Sequence, residues 1–570
     1  MYVKASTRRT RDGSTVRYLQ LAHNEWDPAA RASRTRVLYS FGREDQLDRV
    51  AIRRLVAALS RLDPAAALAA TADGGLSFVA SRPLGGAWVL DGLWRRLGID
   101  AVMRRLLAAR RLDHRVERVL FALVANRALK PSSKLAAAGW IGREVAIDGL
   151  GEVDEDACYR AMDWLLQIAP ALEREVYGQV ADLLNLEVDL LFFDTTSTYF
   201  EVEEPDAPLT RDERGLPVGD PGQDAQAAAQ VAGFRAYGKS KDHRDDLPQV
   251  VVGMAVTRAG IPVRVWCWPG NTADSALIRQ VKDELRDWTL ARVVWVADRG
   301  FTSAANRRWL QRAGGHYILG EKLRSGSAEA TAALARQGRY QQVADNLQVK
   351  EVRIDTDDRF VVCYNPEAAD RDRSIRDRLL AQLEQTIAGA DRLTATKRAE
   401  LRGAISTKPG LARYLRTTPG GLLRIDKQAI TAEAKLDGKY LLRCSDPKLS
   451  AEDIALGYKQ LLQVERGWRD MKQILELRPV YHRREDRIRA HVLLCWLALL
   501  LVRIAETTTG QTWPALRGEL DRLHVGVFTG PAGTFQQRTE LTSAQRRILA
   551  ALDLAEPPRI LDAAPATTTR

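Results

Sequence analysis

The feature that most constrains the fold is a pair of short apolar runs that each stop at an aspartate. Val188-Asp-Leu-Leu-Phe-Phe193 leads into Asp194, and the stretch from Arg292 to Ala297 leads into Asp298. Nearly continuous apolar runs of this length predict strands. Two further runs, Gln249 to Thr257 and Ile261 to Trp268, flank Arg258-Ala-Gly260, which predicts a hairpin. An amphipathic helix is predicted at about 273–290 and another at about 302–313, followed by the strand Tyr317-Ile-Leu. Strands followed by alternating helix and strand define an α/β sheet. A charged residue at the carboxyl end of an apolar strand lies at the sheet edge, where the core stops and a ligand can bind.

The rest of the chain divides by texture. At 570 residues it is too long for one compact core, and two to four domains are expected. Residues 1–62 form a basic segment with β-like runs at Val16 to Leu21 and Arg36 to Tyr39, then a helix at about 46–61. Residues 1–60 hold 12 Lys/Arg against 6 Asp/Glu, half of the chain's net charge of +12. An Ala/Gly-rich stretch, Asp63 to Gly75, reads as a linker. Residues 76–185 show helical spacing, with a basic loop from Arg127 to Lys134 that is placed to touch phosphate or simply to be solvated. The α/β region spans 186–320. An insertion with mixed strands and a charged helical stretch spans 321–447. A long helix at about 450–475 and an apolar helix at about 487–506 belong to 448–506. A helical region and a disordered tail fill 507–570.

Composition sets further bounds. A sequence pI near 9.5 favours a polyanionic partner, with DNA or RNA the usual one. The five cysteines are scattered without a CxxC pair, which argues against a disulfide framework or a zinc ribbon. The polar start has no signal-peptide core, and the longest apolar run, Val492 to Val502, is about half a membrane span. A cytoplasmic protein is expected.

One aspartate at a strand end ordinarily caps a turn or a helix. Two in one sheet suggest more, because close carboxylates repel unless a cation lies between them. Oxygen-only ligands suit Mg²⁺ or Mn²⁺. On the predicted helix at 450–475, Tyr458, Glu465 and Lys472 are spaced by seven and share a face, with Arg469 one turn on from Glu465. Taken alone, this helix reads more readily as a solvated surface with a Glu465–Arg469 pair.

The blocks Phe193-Asp194-Thr-Thr-Ser-Thr-Tyr-Phe-Glu201, Gly238-Lys-Ser-Lys-Asp-His-Arg-Asp-Asp246, Pro269-Gly-Asn-Thr-Ala-Asp274, Ala297-Asp298-Arg-Gly-Phe301, Leu436-Asp-Gly-Lys-Tyr440, Tyr458 to Lys472, Arg478 to His482 and Arg489-Ala-His491 come in a specific order. In that order and spacing the chain resembles bacterial insertion-sequence DDE transposases of the IS-four type. Their signature Tyr-x2-Arg-x3-Glu-x6-Lys falls on Tyr458, Leu461, Glu465 and Lys472, with Leu461 where the arginine stands. The resemblance implies an RNase H-like core interrupted by the insertion. It implies Asp194, Asp298 and Glu465 as catalytic, metal-binding carboxylates holding two Mg²⁺ or Mn²⁺ ions about 4 Å apart. It further implies cleavage at transposon ends and strand transfer into target DNA, with double-stranded DNA as partner and a homodimer pairing two ends. Tyr458, Arg469 and Lys472 would hold the backbone, with Lys239, Lys241, Arg244 and Arg299 near the mouth of the site. DNA binding is assigned to 1–62 and end recognition to 76–185. A catalytically silent DNA-binding derivative and a nuclease that cuts without joining are the alternatives.

Gly233-Phe-Arg-Ala-Tyr-Gly-Lys-Ser240 matches a P-loop letter for letter. It follows no apolar strand and opens no predicted helix, so ATP binding is rejected. Seven scattered histidines show no metal spacing, and His482 and His491 are expected to be structural or near DNA. Trp468 is assigned to packing. Residues 320–450 contain no tryptophan, which leaves Tyr340, Tyr364, Tyr414 and Tyr440 as platforms for a flipped base.

Overall fold

The computed structural model describes residues 1–10, 15–28, 31–60, 76–109, 115–183, 190–211, 217, 231–286, 288, 293–324, 326–354, 358–530 and 533–565. The expected linker at 63–75, the starts of the two apolar runs (188–189 and 292) and the stretch preceding the P-loop-like segment lie outside these residues. The chain forms two compact units, one of residues 1–81, 526–537 and 560–570, the other of 82–525 and 538–559.

In the first unit, β1 (Tyr2–Arg9), β2 (Thr15–Asp27) and β3 (Ala32–Arg43) form an antiparallel sheet, and α1 (Arg49–Ser60) follows. Only Val16 and Ala22 of this sheet are buried apolar residues. Next comes β4 (Ser77–Pro83).

Among the described residues, the second unit begins with the helices α2 (Gly85–Arg96), α3 (Ile99–Ala108), α4 (Arg115–Leu129), α5 (Lys134–Arg143) and α6 (Glu155–Leu183). Then come β5 (Leu190–Tyr199), β6 (Gln249–Thr257), β7 (Pro262–Pro269), α7 (Asp274–Glu284), β8 (Val294–Ala297), α8 (Ala304–Gln311) and β9 (His316–Glu321). The hairpin expected around 258–260 joins β6 to β7, with Gly260 at φ +77° in its turn. β5 pairs antiparallel with β6 and parallel with β8, and β8 is parallel to β9. On β5, Leu190 and Phe192 join one core cluster while Leu191 and Phe193 join the other. Both faces of this strand are therefore covered, which is why its sequence is apolar without alternation.

The sheet does not stop at the boundary expected at 320–321. After α9 (Ala328–Ala335), the strands β10 (Gln341–Ala344), β11 (Leu347–Arg353) and β12 (Arg359–Tyr364) extend it. The helices α10 (Pro366–Ile387), α11 (Ala395–Ser406), α12 (Pro409–Ala412) and α13 (Lys427–Ala434) follow, with the short strands β13 (Leu415–Thr417) and β14 (Leu423–Ile425) between the last two. They enclose a separate small core of Leu383, Ile405, Leu411 and Tyr414. The chain returns as β15 (Lys439–Cys444), which pairs with β9 on one side and β12 on the other. Among the described residues the result is one nine-stranded sheet, ordered β10-β11-β12-β15-β9-β8-β5-β6-β7.

The helix expected over 450–475 is two helices, α14 (Ala451–Lys459) and α15 (Leu462–Gln473). Between them the amides of Gln460, Leu461, Gln463 and Val464 each bond the carbonyl three residues back, tightening the chain into a turn. α16 (Glu485–Thr509) is the one helix among the described residues long and apolar enough to cross a membrane, and 94% of its apolar window is buried inside the protein. It packs on α4, α6 and β7. α17 (Trp513–Leu520) and α18 (Ser543–Ala551) are helical as expected. The strands β16 (His524–Gly530), β17 (Gly533–Arg538) and β18 (Ile560–Pro565) were not expected; they join β4 in a four-stranded sheet. Part of the anticipated disordered tail is thus paired: Phe535 faces Ala563 and Gly533 faces Pro565.

The junction of β9 and β15 carries a buried cation. Arg443 is fully buried and pairs with Glu321 at 2.7 Å, Asp358 at 3.2 Å, and Glu329. Removing one partner of a buried pair leaves the others uncompensated. Arg443→Met is therefore expected to cost about 3–5 kcal/mol in denaturant unfolding, against less than about 1 kcal/mol for Arg517→Met in an exposed pair.

Candidate active site

The parallel ladder between β5 and β8 ends with Phe193 opposite Ala297, so the next residues, Asp194 and Asp298, emerge side by side. β8 stops there, but β5 does not. Its antiparallel ladder with β6 continues from Asp194 opposite Met254 to Tyr199 opposite Gln249. Asp194 is therefore a mid-strand residue at the point where its parallel neighbour ends, not the end of the strand.

Asp298 holds the N-cap position of a short 3₁₀ turn, Arg299–Phe301, but its side chain makes no capping bond. The ordinary explanation for an aspartate at a strand end does not hold here. Its Oδ1 instead accepts the hydroxyl of Tyr458 at 3.1 Å. The Asp194 carboxyl is pushed up to about 6: burial is the main cause, Lys241 opposes it, and the negative charges of Asp298 and Asp274 add to it.

Lys241 is the nearest cation. Its Nζ lies 3.8 Å from Asp194 Oδ1 and 3.2 Å from Asp274 Oδ2. It also donates to the carbonyl and the hydroxyl of Thr195, both at 2.6 Å. The Lys241 amide donates to Ser197 Oγ at 2.8 Å, tying the 238–246 loop to β5. Asp274, the first residue of α7, stands in the block quoted from 269–274 but carries no role on sequence grounds; only the fold brings it to Lys241.

α15 packs across β5 and β6, and its Gly467 lies against Met254, the residue opposite Asp194. Glu465 is exposed on this helix, two residues before that contact. Tyr458 projects from α14, where its ring stacks on Tyr440 at 6.0 Å and its hydroxyl reaches Asp298. Burial and the negative charges of Asp298 and Glu465 hold its phenol well above the usual tyrosine range. The turn at 460–461 means that Tyr458 and Glu465 do not share one straight helix. Leu461, at the arginine position of the signature, is 8% exposed and belongs to the core.

Lys472 is half of a shielded ion pair. Its Nζ meets Asp242 at 3.0 Å, and Arg478 meets the same carboxylate at 2.7 Å, so α15 is fastened to the 238–246 loop. Burial lowers the Lys472 ammonium, with Asp242 opposing that shift. Arg244 pairs with Asp246 at 2.9 Å and lies over the Tyr199 ring. Lys239, Arg299 and Arg469 are exposed. The loop around Lys239 is irregular and opens no helix, as the rejection of the P-loop requires.

A cleft of about 560 Å³ opens beside Asp298, lined by Arg299, Lys322, Lys439, Tyr440 and Tyr458 among others. Tyr440 lies in it, whereas Tyr414 is buried in the small helical core and offers no platform. Trp468 is buried in the main core, as its packing role requires. His482 and His491 are both buried and pack against each other. Arg127 and Lys134 are buried too, so neither end of the 127–134 loop reaches a phosphate.

A half-buried carboxylate beside a second one, with only a lysine between it and a third, is a donor set that suits a hard divalent cation. Asp194 and Asp298 fit that role. Among the described residues, no three His, Cys, Asp or Glu side chains already stand together as a metal cage.

Residues 212–501 match the transposase DDE domain family, and residues 3–71 match the N-terminal domain of IS1634 family transposases. The first match spans just over half of the chain. Asp298 and Glu465 lie inside it, and Asp194 just precedes it. The protein belongs to the insertion-sequence DDE transposases, enzymes that cleave DNA and transfer its strands and whose chemistry depends on divalent metal. No curated protein matches the chain. Among solved structures, the piggyBac transposase synaptic complex with hairpin DNA is similar over 72% of this chain and 70% of that one, with 10% identity and a TM-score of 0.34. The Mos1 transposase paired-end complex with left transposon end is similar over 32% and 53%, with 14% identity and a TM-score of 0.14.

The burial of Leu461 yields a direct test. Leu461→Arg restores the signature residue but forces a cation into a packed position. The variant is expected to lose at least about 2 kcal/mol of unfolding free energy and to gain no DNA affinity. Denaturant unfolding and a binding isotherm on the element's terminal DNA measure the two effects.

Proposed function

We propose that Asp194, Asp298 and Glu465 are the catalytic carboxylates of this transposase and that it works on an RNase H-like core of the IS-four type. The observation that carries the reading is the adjacency of Asp194 and Asp298 where the parallel ladder of β5 and β8 ends. The core assignment is supported by the strand order β7-β6-β5-β8-β9, with the first three antiparallel and the last two parallel to β5. Glu465 is supported by the packing of α15 over β5 and by its place in the Tyr458–Lys472 signature.

Two Mg²⁺ or Mn²⁺ ions held by these carboxylates would polarise the phosphate and make the attacking and leaving oxygens easier to charge. The protein's own groups prepare the ground. Tyr458 fixes the Asp298 carboxylate by its hydrogen bond. Lys241 holds the Asp194 edge of the site against Thr195. The Lys472–Asp242–Arg478 cluster locks α15, and with it Glu465, to the 238–246 loop. Arg299, Arg469 and Lys239 are the exposed cations best placed to meet the DNA backbone. Lys472, Lys241 and Arg244 reach a phosphate only by exchanging a carboxylate partner. The reaction is an in-line displacement at phosphorus: water frees a DNA 3′-OH at the transposon end, and that hydroxyl then attacks target DNA. Both steps use the same geometry, so one site serves both. Terminal inverted repeats and target duplex are the substrates, a homodimer pairs two ends, and the protein acts in the bacterial cytoplasm on the nucleoid.

Asp194→Ala, Asp298→Ala and Glu465→Ala are each expected to abolish metal-dependent cleavage and joining of the element's terminal DNA. Binding in a gel-shift assay should persist. Near-normal cleavage by any one of them would remove that residue from the site. Cleavage without joining by the unaltered protein would instead favour a nuclease.

A further inference from the structure

We infer that Lys241 is the resident counter-cation of Asp194, and that Asp274 is a positioning residue that acts through it to set how tightly the site takes a divalent ion. This rests on the reading of Asp194 as a metal ligand. Lys241 is fastened from three directions: the carbonyl and hydroxyl of Thr195, both at 2.6 Å, and Asp274 at 3.2 Å. The longest of its approaches is the one to Asp194, at 3.8 Å. The ammonium therefore stands close enough to offset the Asp194 charge but is bonded more closely to the groups beside it. Its peptide N–H, bonded to Ser197, keeps the loop from carrying the side chain away.

Two opposite effects follow from Coulomb's law. The ammonium repels any cation arriving at Asp194. Asp274 counters this by drawing the ammonium toward α7. Neutralising Asp274 would let Lys241 close on Asp194 and compete with the ion. The pair thus keeps Asp194 compensated before the ion arrives and gives the ammonium somewhere to remain afterwards.

The test is Mn²⁺ binding to the full-length protein without DNA, read from the electron paramagnetic resonance signal of free Mn²⁺. Lys241→Gln is expected to tighten binding by about tenfold, and Asp274→Asn to weaken it by a similar factor, the size expected for one charge at this range. Lys241→Arg should stay close to the unaltered protein, since charge rather than packing is at issue. In the double variant the Asp274→Asn effect should shrink at least threefold, because its intermediary is gone. Unchanged or weaker binding in Lys241→Gln would overturn the inference. So would an Asp274→Asn effect that is undiminished in the double variant, which would make Asp274 a direct ligand or a purely structural residue. Asp194→Asn separates the two levels: if it binds Mn²⁺ as well as the unaltered protein, the metal-site reading itself fails.

Discussion

The whole site depends on one pairing, the parallel ladder of β5 with β8. It is short, and it ends where Phe193 meets Ala297. Because β8 stops and β5 continues, two aspartates are delivered side by side at the rim of a sheet whose faces are both closed by core. The backbone that carries both carboxylates is held by this buried ladder. At Asp194, burial and the neighbouring negative charges raise the carboxyl, and Lys241 opposes that shift.

The offsets come from distant parts of the chain. Tyr458 donates to Asp298 from α14, Lys241 approaches Asp194 from the 238–246 loop, and Asp274 steadies Lys241 from α7. The same loop is tied to α15 through Asp242, which accepts both Lys472 and Arg478. A basic side chain near a phosphate-handling site is easily assigned to DNA. In this protein several such side chains first hold the protein together, and the exposed set is smaller than the sequence suggests.

The sequence made the α/β core legible because its strands are buried on both faces and read as apolar runs. Asp194 and Asp298 stood out for the same reason. Glu465 needed the spacing of the family signature, since an exposed glutamate on an amphipathic helix has no distinguishing pattern. The turn at 460–461 was missed because Leu461 and Leu462 continue the helical periodicity while the backbone tightens. The extension of the sheet through β10, β11, β12 and β15 was missed because strand pairing over about a hundred residues leaves no local mark. Asp274 carried no signal in the sequence because only the fold brings it to Lys241, thirty-three positions away.

The proposed site turns on the Asp194 carboxylate binding the catalytic metal. Exchanging its hard oxygen for a soft sulfur tests it most directly. Asp194→Cys should be inactive in Mg²⁺ and should regain cleavage of terminal DNA in Mn²⁺ or Cd²⁺. Full activity of that variant in Mg²⁺, or no activity with any of these ions despite normal DNA binding and folding, would contradict the account.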